Sequence, residues 1–469
     1  MSKKFIFYEI NELPMLVIER YAAKFPSSSL AYLYQNSKKY QTLNSDSGSL
    51  SPWVTWPSLH RGVNNDKHGI SNLGQNLEDI NQQYPNFFNT LANAGVTVGI
   101  FGTLHTYPLP LNVSSYSFYL PDVFAETPDA FPEKLKLFQG INIRFTAKNA
   151  RNVRRAIPFN EIKLFATNFF GLGISFKTVL EILRQLAGEL IDPTLVVKRR
   201  IIQAKLAFDI YFNLLNEDKP QFSTFFTNHV ASAMHRYWPA TFPNDYLSFR
   251  MPEKWVDDYA DVIWDAMSEL DSHLQRLLQF IEKNEDYTLV MLSSMGQAPV
   301  QEVVQINNEL LIGNIPKFIQ TLGVLDGSFT QLSAMVPRYI FRFEDEHLLN
   351  IFCINIGKIR IRGSSIYCKL IDPLTAQVSL GHENFDSSEL IDVDGVMKSI
   401  VDIGLETVAI QDQSGSYAYH IPEGSLMVFN GKGVGVGDAM IPVSRIAPSI
   451  LNAFGIKNPS YMDEPLPIF

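Results

Sequence analysis

The chain is short of most features that assign a protein to a class at a glance. It has two cysteines, Cys353 and Cys368, in 469 residues, which excludes a disulfide framework. They lie close in sequence, on what read as neighbouring strands. One bridge or two buried thiols are the options, and two thiols in a reducing compartment is the reading adopted. No apolar run reaches the length of a membrane span; the most apolar stretch, Leu164–Ile182, is broken by Asn168 and Lys177. The N-terminal MSKKFIFYEINEL lacks a signal-peptide pattern and reads as a first strand. A soluble, cytoplasmic protein without a membrane span is expected, with its oligomeric state left open. Cations are outnumbered: Lys+Arg 39 against Asp+Glu 48, a net charge of -9. That argues against general nucleic-acid binding, which wants a basic stripe, but leaves room for a local basic pocket. Core material is plentiful: 46% hydrophobic and 12% aromatic residues supply one large α/β domain with insertions, or two or three domains.

Apolar runs and breakers give an alternating order of elements. Phe5–Ile10 reads as a buried parallel strand, and Asn11 and Glu12 follow at its carboxyl end, where open α/β sheets bind ligands. In the stretch Ser51–Leu73, Ser51–Trp56 is an aromatic and β-branched run and Ser58 is the expected N-cap of a helix starting there. A hydroxyl at such a junction, Thr55 or Ser58, is placed for anion binding or as a nucleophile. Phe87–Ala94 reads as a helix closed by Gly95, and Val96–Phe101 as a strand; Leu120–Phe124 is a turn exposing Asp122. Residues 131–215 read as mostly helical, with Lys148, Arg151, Arg154, Arg155 and Lys198-Arg199-Arg200 as solvated basic faces. Gln221–Asn228 is a strand that runs into His229 and His235, and Tyr287–Leu292 is a strand ending in Ser293-Ser294-Met295-Gly296-Gln297. Ile340–Leu370 alternates like an antiparallel hairpin region, and Gly431–Gly437 reads as a flexible turn.

The run T-W-P-S-L-H-R-G-V-N-N-D-K-H-G-I at Thr55–Ile70 resembles the nucleophile segment of the alkaline phosphatase superfamily, nearest its type I phosphodiesterase/nucleotide pyrophosphatase branch. The strand after Gly95, the segment Phe225–Trp238, the strand end Thr288–Gly296, and His420 with the helix at Ser444–Gly455 continue the resemblance in order. It implies a three-layer α/β/α fold around a doubly wound, mostly parallel sheet. Residues 1–130, 216–300 and 411–469 would form that core, 131–215 a helical cap, and 301–410 a small mixed or antiparallel subdomain. It also implies a Thr55 nucleophile between two divalent cations. The positions that hold those cations in the family read Asn11, Ala231, Ser294 and Met295 here. Two dications a few Å apart without carboxylates would repel strongly, so a two-metal centre is not expected. No cofactor is expected; a single Zn²⁺ on His235 and His420, with His229 or Glu12, is the alternative.

The expected function is a divergent hydrolase or transferase acting on a small molecule or glycan that bears an anionic group, phosphorylated, sulfated or glycosidic. Glu12, Thr55, His60, His229 and His235 are the candidate catalytic residues. Asn11, Arg61, Asn228, Gln297 and His420 are the candidate substrate-binding residues. A ligand-binding protein without turnover and an ordinary metal-dependent phosphodiesterase with rearranged ligands stay open beside it.

Overall fold

The structure, a computed structural model, describes all residues except 1–2, 49, 72–74, 148–166, 168–169, 303–306, 333, 335–337, 410–415 and 431–435. The basic segment 148–155 and most of the glycine-rich turn 431–437 therefore lie outside the described residues. The centre is an eight-stranded sheet. Its strands are β1 Lys4–Ile10, β2 Lys38–Leu43, β3 Val98–Phe101, β4 Phe118–Leu120, β5 Phe222–Thr227, β6 Tyr287–Leu292, β7 Leu426–Phe429 and β8 Val436–Pro442, in the order β8-β2-β7-β6-β1-β5-β3-β4. Neighbouring pairs are parallel except those of β7, which runs antiparallel to both β6 and β2. β1 is the axis of the molecule, with Tyr8 level with Phe225 on one side and Met291 on the other.

Side chains alternate across β1, so each face buries a different set. Ile6, Tyr8 and Ile10 pack into a core roofed by helices α1 Met15–Lys24, α5 Arg199–Asp218, α6 His229–Thr241 and α7 Val262–Lys283. Phe5 and Phe7 face the opposite core, with α2 Pro52–Arg61, α3 Phe87–Asn93 and α8 Ile446–Ala453. Helices on both faces of a mostly parallel sheet make this a three-layer α/β/α fold, as the sequence led us to expect. α4 Phe176–Ile191 and α5 supply most of the described helical insertion. Lys198 pairs with Asp265 at 2.7 Å and Arg199 with Glu189 at 2.5 Å, so this short basic run is tied into the fold. Among the described residues no helix is long and apolar enough to cross a membrane.

Residues 307–409 build a smaller unit on its own core, around Phe318, Phe341, Phe352 and Ile391. It holds two four-stranded antiparallel sheets and a two-stranded pair. Glu346–Ile356 is a helix rather than the strand read from its alternation. Asp345 caps it by accepting from the Leu348 N–H, and Leu349, Phe352 and Ile356 recur at helical spacing on its buried side. Cys353 thus stands on a helix and Cys368 on a strand, both as free thiols within hydrogen-bonding reach of each other.

Three local expectations change. The helix α2 starts at Pro52, not Ser58, with Ser51 extended before it. Proline's fixed φ and missing N–H suit a first helical position, which the aromatic run had masked. Ser58 sits mid-helix, donating to Asp46 Oδ1 at 2.7 Å and facing His68 Nε2 at 2.9 Å. Asp122 is buried rather than exposed: its carboxylate accepts the Phe124 and Thr106 N–H groups, and burial pushes its pKa up to about 6.

Candidate functional site

The carboxyl ends of β1 and β6 and the amino end of β7 are laced together by hydroxyls, and this fixes Glu12. Leu13 donates its N–H to Ser293 Oγ at 3.0 Å, and Ser425 Oγ donates to the Leu13 carbonyl at 2.8 Å. Pro14 adds its own restriction by driving Leu13 away from helical backbone. Between this anchor and the end of β1, Glu12 takes a left-handed φ of 56°. A non-glycine residue there is strained, and such strain is found where a side chain must be aimed.

The side chain is aimed into a polar cluster. Asn11 Nδ2 donates to Glu12 Oε1 at 2.7 Å and to Asn228 Oδ1 at 2.8 Å, while Asn11 Oδ1 accepts from Trp56 Nε1 at 2.9 Å. Gln297 donates to Glu12 Oε2 and to the Ala231 carbonyl. His235 Nε2 lies 2.8 Å from Glu12 Oε2 and His420 Nε2 lies 3.4 Å from Oε1. Asn11, Glu12, Asn228, His235, Gln297 and His420 are therefore brought together.

A proline explains how His420 reaches His235. Pro239 lies inside α6 and has no N–H to give the carbonyl of residue 235. The Tyr417 N–H takes that carbonyl instead, at 2.7 Å. The following strand, Ala418–Ile421, pairs antiparallel with Gly296–Pro299, setting His420 level with Gln297. In the same approach the Ala418 carbonyl meets His235 Nδ1 at 2.7 Å, and the Leu50 carbonyl meets His420 Nδ1 at 2.9 Å. A carbonyl only accepts, so each Nδ1 carries a hydrogen and each Nε2 turns to Glu12. In a neutral imidazole that Nε2 would present a lone pair to a carboxylate. A proton, or a metal ion, must close the gap.

Electrostatics agree. Burial alone would raise Glu12's pKa, but His235 and His420 outweigh it and hold the carboxyl well below the usual carboxylate range. For His420, burial and nearby Arg338 act downward; the Glu12 charge, its hydrogen bond and the Leu50 carbonyl prevail, and its pKa is raised. His235 is a quarter exposed at its side chain and His420 about a tenth, 25% and 11%, so His235 is the readier contact for a ligand. Tyr419, half exposed, stacks on His420 with ring centroids 4.3 Å apart. The position of Tyr419, and of Trp56 as the brace of Asn11, was not drawn from the sequence; pairing residues 418–421 with 296–299 is a long-range event that neither segment signals by itself.

The remaining candidates have other partners. Thr55 Oγ1 meets Ser294 Oγ at 2.7 Å and both are buried, so its hydroxyl faces another hydroxyl rather than a base. His60 is buried on the far side of Trp56, its ring stacked at 5.5 Å and its Nε2 2.9 Å from Glu9 Oε1. Thr103 donates to the other Glu9 oxygen at 2.8 Å, so His60 and Glu9 form a buried contact inside the core. His229 has both nitrogens engaged, Nδ1 with Thr227 Oγ1 at 2.7 Å and Nε2 with the Ala266 carbonyl at 3.0 Å. Burial lowers its pKa to about 3, so it is a neutral core histidine. Arg61 points into the protein, donating to Asn81 Oδ1 at 2.8 Å and to the Tyr84 carbonyl, and burial lowers its pKa to about 10. It braces the short helix Glu78–Gln83 and is not aimed at the cluster.

The metal positions of the resemblance can be tested on the same geometry. Ala231 offers no ligand, Met295 is fully buried, and both ends of the Asn11 amide are occupied. Two cations do not fit these residues. One does: Glu12, His235 and His420 each offer a ligand atom, all within 4.8 Å of one another.

No protein-family model matches the chain, and no curated protein matches it in sequence. Solved structures do. Murine ectonucleotide pyrophosphatase/phosphodiesterase 5 matches over 97% of this chain and 96% of its own, at 10% identity and a TM-score of 0.39. An inactive form of that murine protein in complex with AMP covers 97% and 96%, at 9% identity and a TM-score of 0.40. The human protein of the same name covers 98% and 96%, at 10% identity and a TM-score of 0.39. Likeness at this level carries no weight for the chemistry of this chain.

Proposed function

We propose that Glu12, His235 and His420 form the acid–base centre of a divergent hydrolase or transferase of the alkaline phosphatase superfamily, acting on a small molecule or glycan with an anionic group. One observation carries this reading: both imidazoles are held at Nδ1 by carbonyls while both Nε2 atoms converge on one buried carboxylate. With protons on both Nε2 atoms the cluster bears two positive charges against one negative. The surplus draws an anionic group toward the His235 edge, where solvent reaches. His235 there donates its Nε2 proton to a leaving-group oxygen, and Glu12, freed of that partner, accepts a proton from the attacking water. Asn11 and Gln297 keep the carboxylate oriented through the exchange, since their amides donate to its two oxygens. Thr55 takes no part, because its hydroxyl has no base beside it.

A second reading rests on the same three residues. Imidazoles tied at Nδ1 are oriented as metal-ligating histidines commonly are, and a cation on Glu12, His235 and His420 would supply Lewis acidity to a bound water. The experiment is a turnover screen of metal-stripped protein on phosphate monoesters and diesters, sulfate esters and glycosides. Activity that survives a chelator and disappears in Glu12→Gln supports the acid–base centre. Activity that needs added metal turns the assignment to the cation. No turnover on any class, with or without metal, sinks the enzymatic reading and leaves a ligand-binding protein.

A further inference from the structure

The helix α4 is apolar on two sides, and only one of them is used by the fold. Thr178 is buried, and Val179 packs with Val197 and Ile201 of the adjoining insertion against the main core. On the opposite side Phe176, Leu180, Leu183 and Leu190 are exposed by 65%, 36%, 58% and 88%, with Ile191 at 87%. Together with exposed Ala187 they recur at steps of four and three residues, the spacing of one continuous helical stripe. Five large apolar side chains facing water along one helix is a cost with no return inside the described fold.

The charges of this helix are sorted in the same sense. Its two carboxylates turn inward: Glu181 pairs with Lys205, and Glu189, only 7% exposed at its side chain, pairs with Arg199. Its cations turn outward. Lys177 is 80% exposed at its side chain, with a loose 3.9 Å contact to Glu181, and Arg184 is exposed without an ion pair among the described residues. Seven residues apart, Lys177 and Arg184 run along one flank of the stripe. Exposed Asp192 closes the far end, its carboxylate turned to Thr194. The outer side thus combines aromatic and leucine side chains with positive charge, in a chain whose net charge is -9.

We propose that α4 docks reversibly onto an anionic lipid surface, lying in the plane of the headgroups with Phe176, Leu183 and Leu190 inserted. A second copy of the chain is a poorer occupant. Antiparallel pairing about Leu183 would set Arg184 against Arg184 of the other copy, a like-charge contact. The helix has 16 residues. It is therefore about 24 Å long, and a stripe some 10 Å wide gives roughly 240 Å², well below the 800 Å² or so per partner of a stable interface. A bilayer sets no such area threshold: each inserted side chain adds its own transfer energy, and the flanking cations add attraction to anionic headgroups.

The test is flotation of the full chain with vesicles of phosphatidylcholine alone and of phosphatidylcholine with phosphatidylserine. Binding is expected to the mixed vesicles, weaker in high salt, and reduced by about tenfold or more in Leu183→Ser with Leu190→Ser. Arg184→Glu should weaken binding while leaving the melting temperature unchanged. These positions are exposed, so the variants should fold, and circular dichroism checks that they do. Three results overturn the proposal. They are no flotation with the mixed vesicles, equal flotation with both kinds, and a dimer in sedimentation that Leu183→Ser dissociates.

Discussion

Replacing Glu12 with Gln tests the centre most directly, because the side chain keeps its shape and loses only its charge. At 2.8 Å the Glu12–His235 contact is worth roughly 6 kcal/mol of Coulomb attraction at an effective dielectric of about 20. Most of that is offset by taking Glu12 out of water, so the pair adds little net stability. Removing one partner of a buried pair usually costs about 3–5 kcal/mol, because the other charge is stranded. Here the stranded groups are imidazoles and can release their protons, which lowers the cost. A glutamine at position 12 can also turn its amide N–H toward a neutral Nε2. A loss of about 1–2 kcal/mol is expected. The change in titration should be clearer than the change in stability. His420 has a raised pKa in the folded protein, chiefly against burial and because of Glu12. Its contribution to stability is full below the unfolded value near 6.5 and is lost as pH rises through the higher folded value. In Glu12→Gln the upward push is gone and burial remains, so the His420 pKa should fall below that of an ordinary histidine and the alkaline loss of stability should vanish. NMR titration of the histidine Cε1–H signals, with denaturant melts at several pH values, reads both. An unchanged His420 titration in Glu12→Gln would refute the coupling and the reading built on it.

Other consequences follow from the same geometry. His60→Ala should cost about 3–5 kcal/mol in urea unfolding, because it leaves a buried Glu9 oxygen without its partner and a cavity beside Trp56 and Phe88; a stable variant that had only lost turnover would instead return His60 to the site. Gly296→Ala should prevent the pairing of Gly296–Pro299 with Ala418–Ile421, since a Cβ there would overlap the Glu423 carbonyl; a lower melting temperature and loss of the His420 shift are expected together. Acid should destabilise the protein well before its carboxylates titrate. Burial holds the pKa of His68, His105 and His229 down at about 3, so between pH 6.5 and 3 the unfolded chain binds protons that the folded one refuses. Stability measured by urea melts should fall with pH across that window, with a slope approaching three protons.

The sheet was legible because its signals are local. FIFYEI at Phe5–Ile10, QFSTFFTN at Gln221–Asn228 and YTLVML at Tyr287–Leu292 are short apolar runs ended by polar residues, and each is a central parallel strand. The same locality explains the failure at Phe352–Ile361. Its alternation fits a strand, yet the Asp345 cap upstream and the spacing of Leu349, Phe352 and Ile356 make the first half a helix. Polar residues at strand ends do meet in one cluster where the strand itself carries them. Asn11, Glu12 and Gln297 are examples, because the end of a strand fixes where its next side chains go. Helical neighbours were not so constrained. His60 and Arg61 lie just after the Thr55–Ser58 segment, but α2 turns them to the core and to Asn81 of the helix Glu78–Gln83. His229, six residues from His235, lies on another side of α6 and faces α7.

Two prolines inside helices, Pro57 and Pro239, hold the missing signal. A proline cannot donate to the carbonyl four residues earlier, and a buried carbonyl does not stay unpaired. Pro57 frees the carbonyl of Trp53, and His105, itself at a left-handed φ of 57°, hydrogen-bonds to it. Pro239 frees the carbonyl of His235, and Tyr417 takes it. Each break therefore recruits a segment distant in sequence: one ties the segment after β3 to α2, the other brings His420 to Glu12. A proline in a stretch of helical spacing marks, four residues back, a point where another part of the chain must arrive. At His235 that point is also the residue whose imidazole meets Glu12, so the defect in the helix and the assembly of the cluster have one cause. The carboxylate that the resemblance places on α6 is an alanine, Ala231, and the negative charge comes instead from the strained residue after β1. One proline and one left-handed glutamate are enough to gather Glu12, His235 and His420 into one cluster.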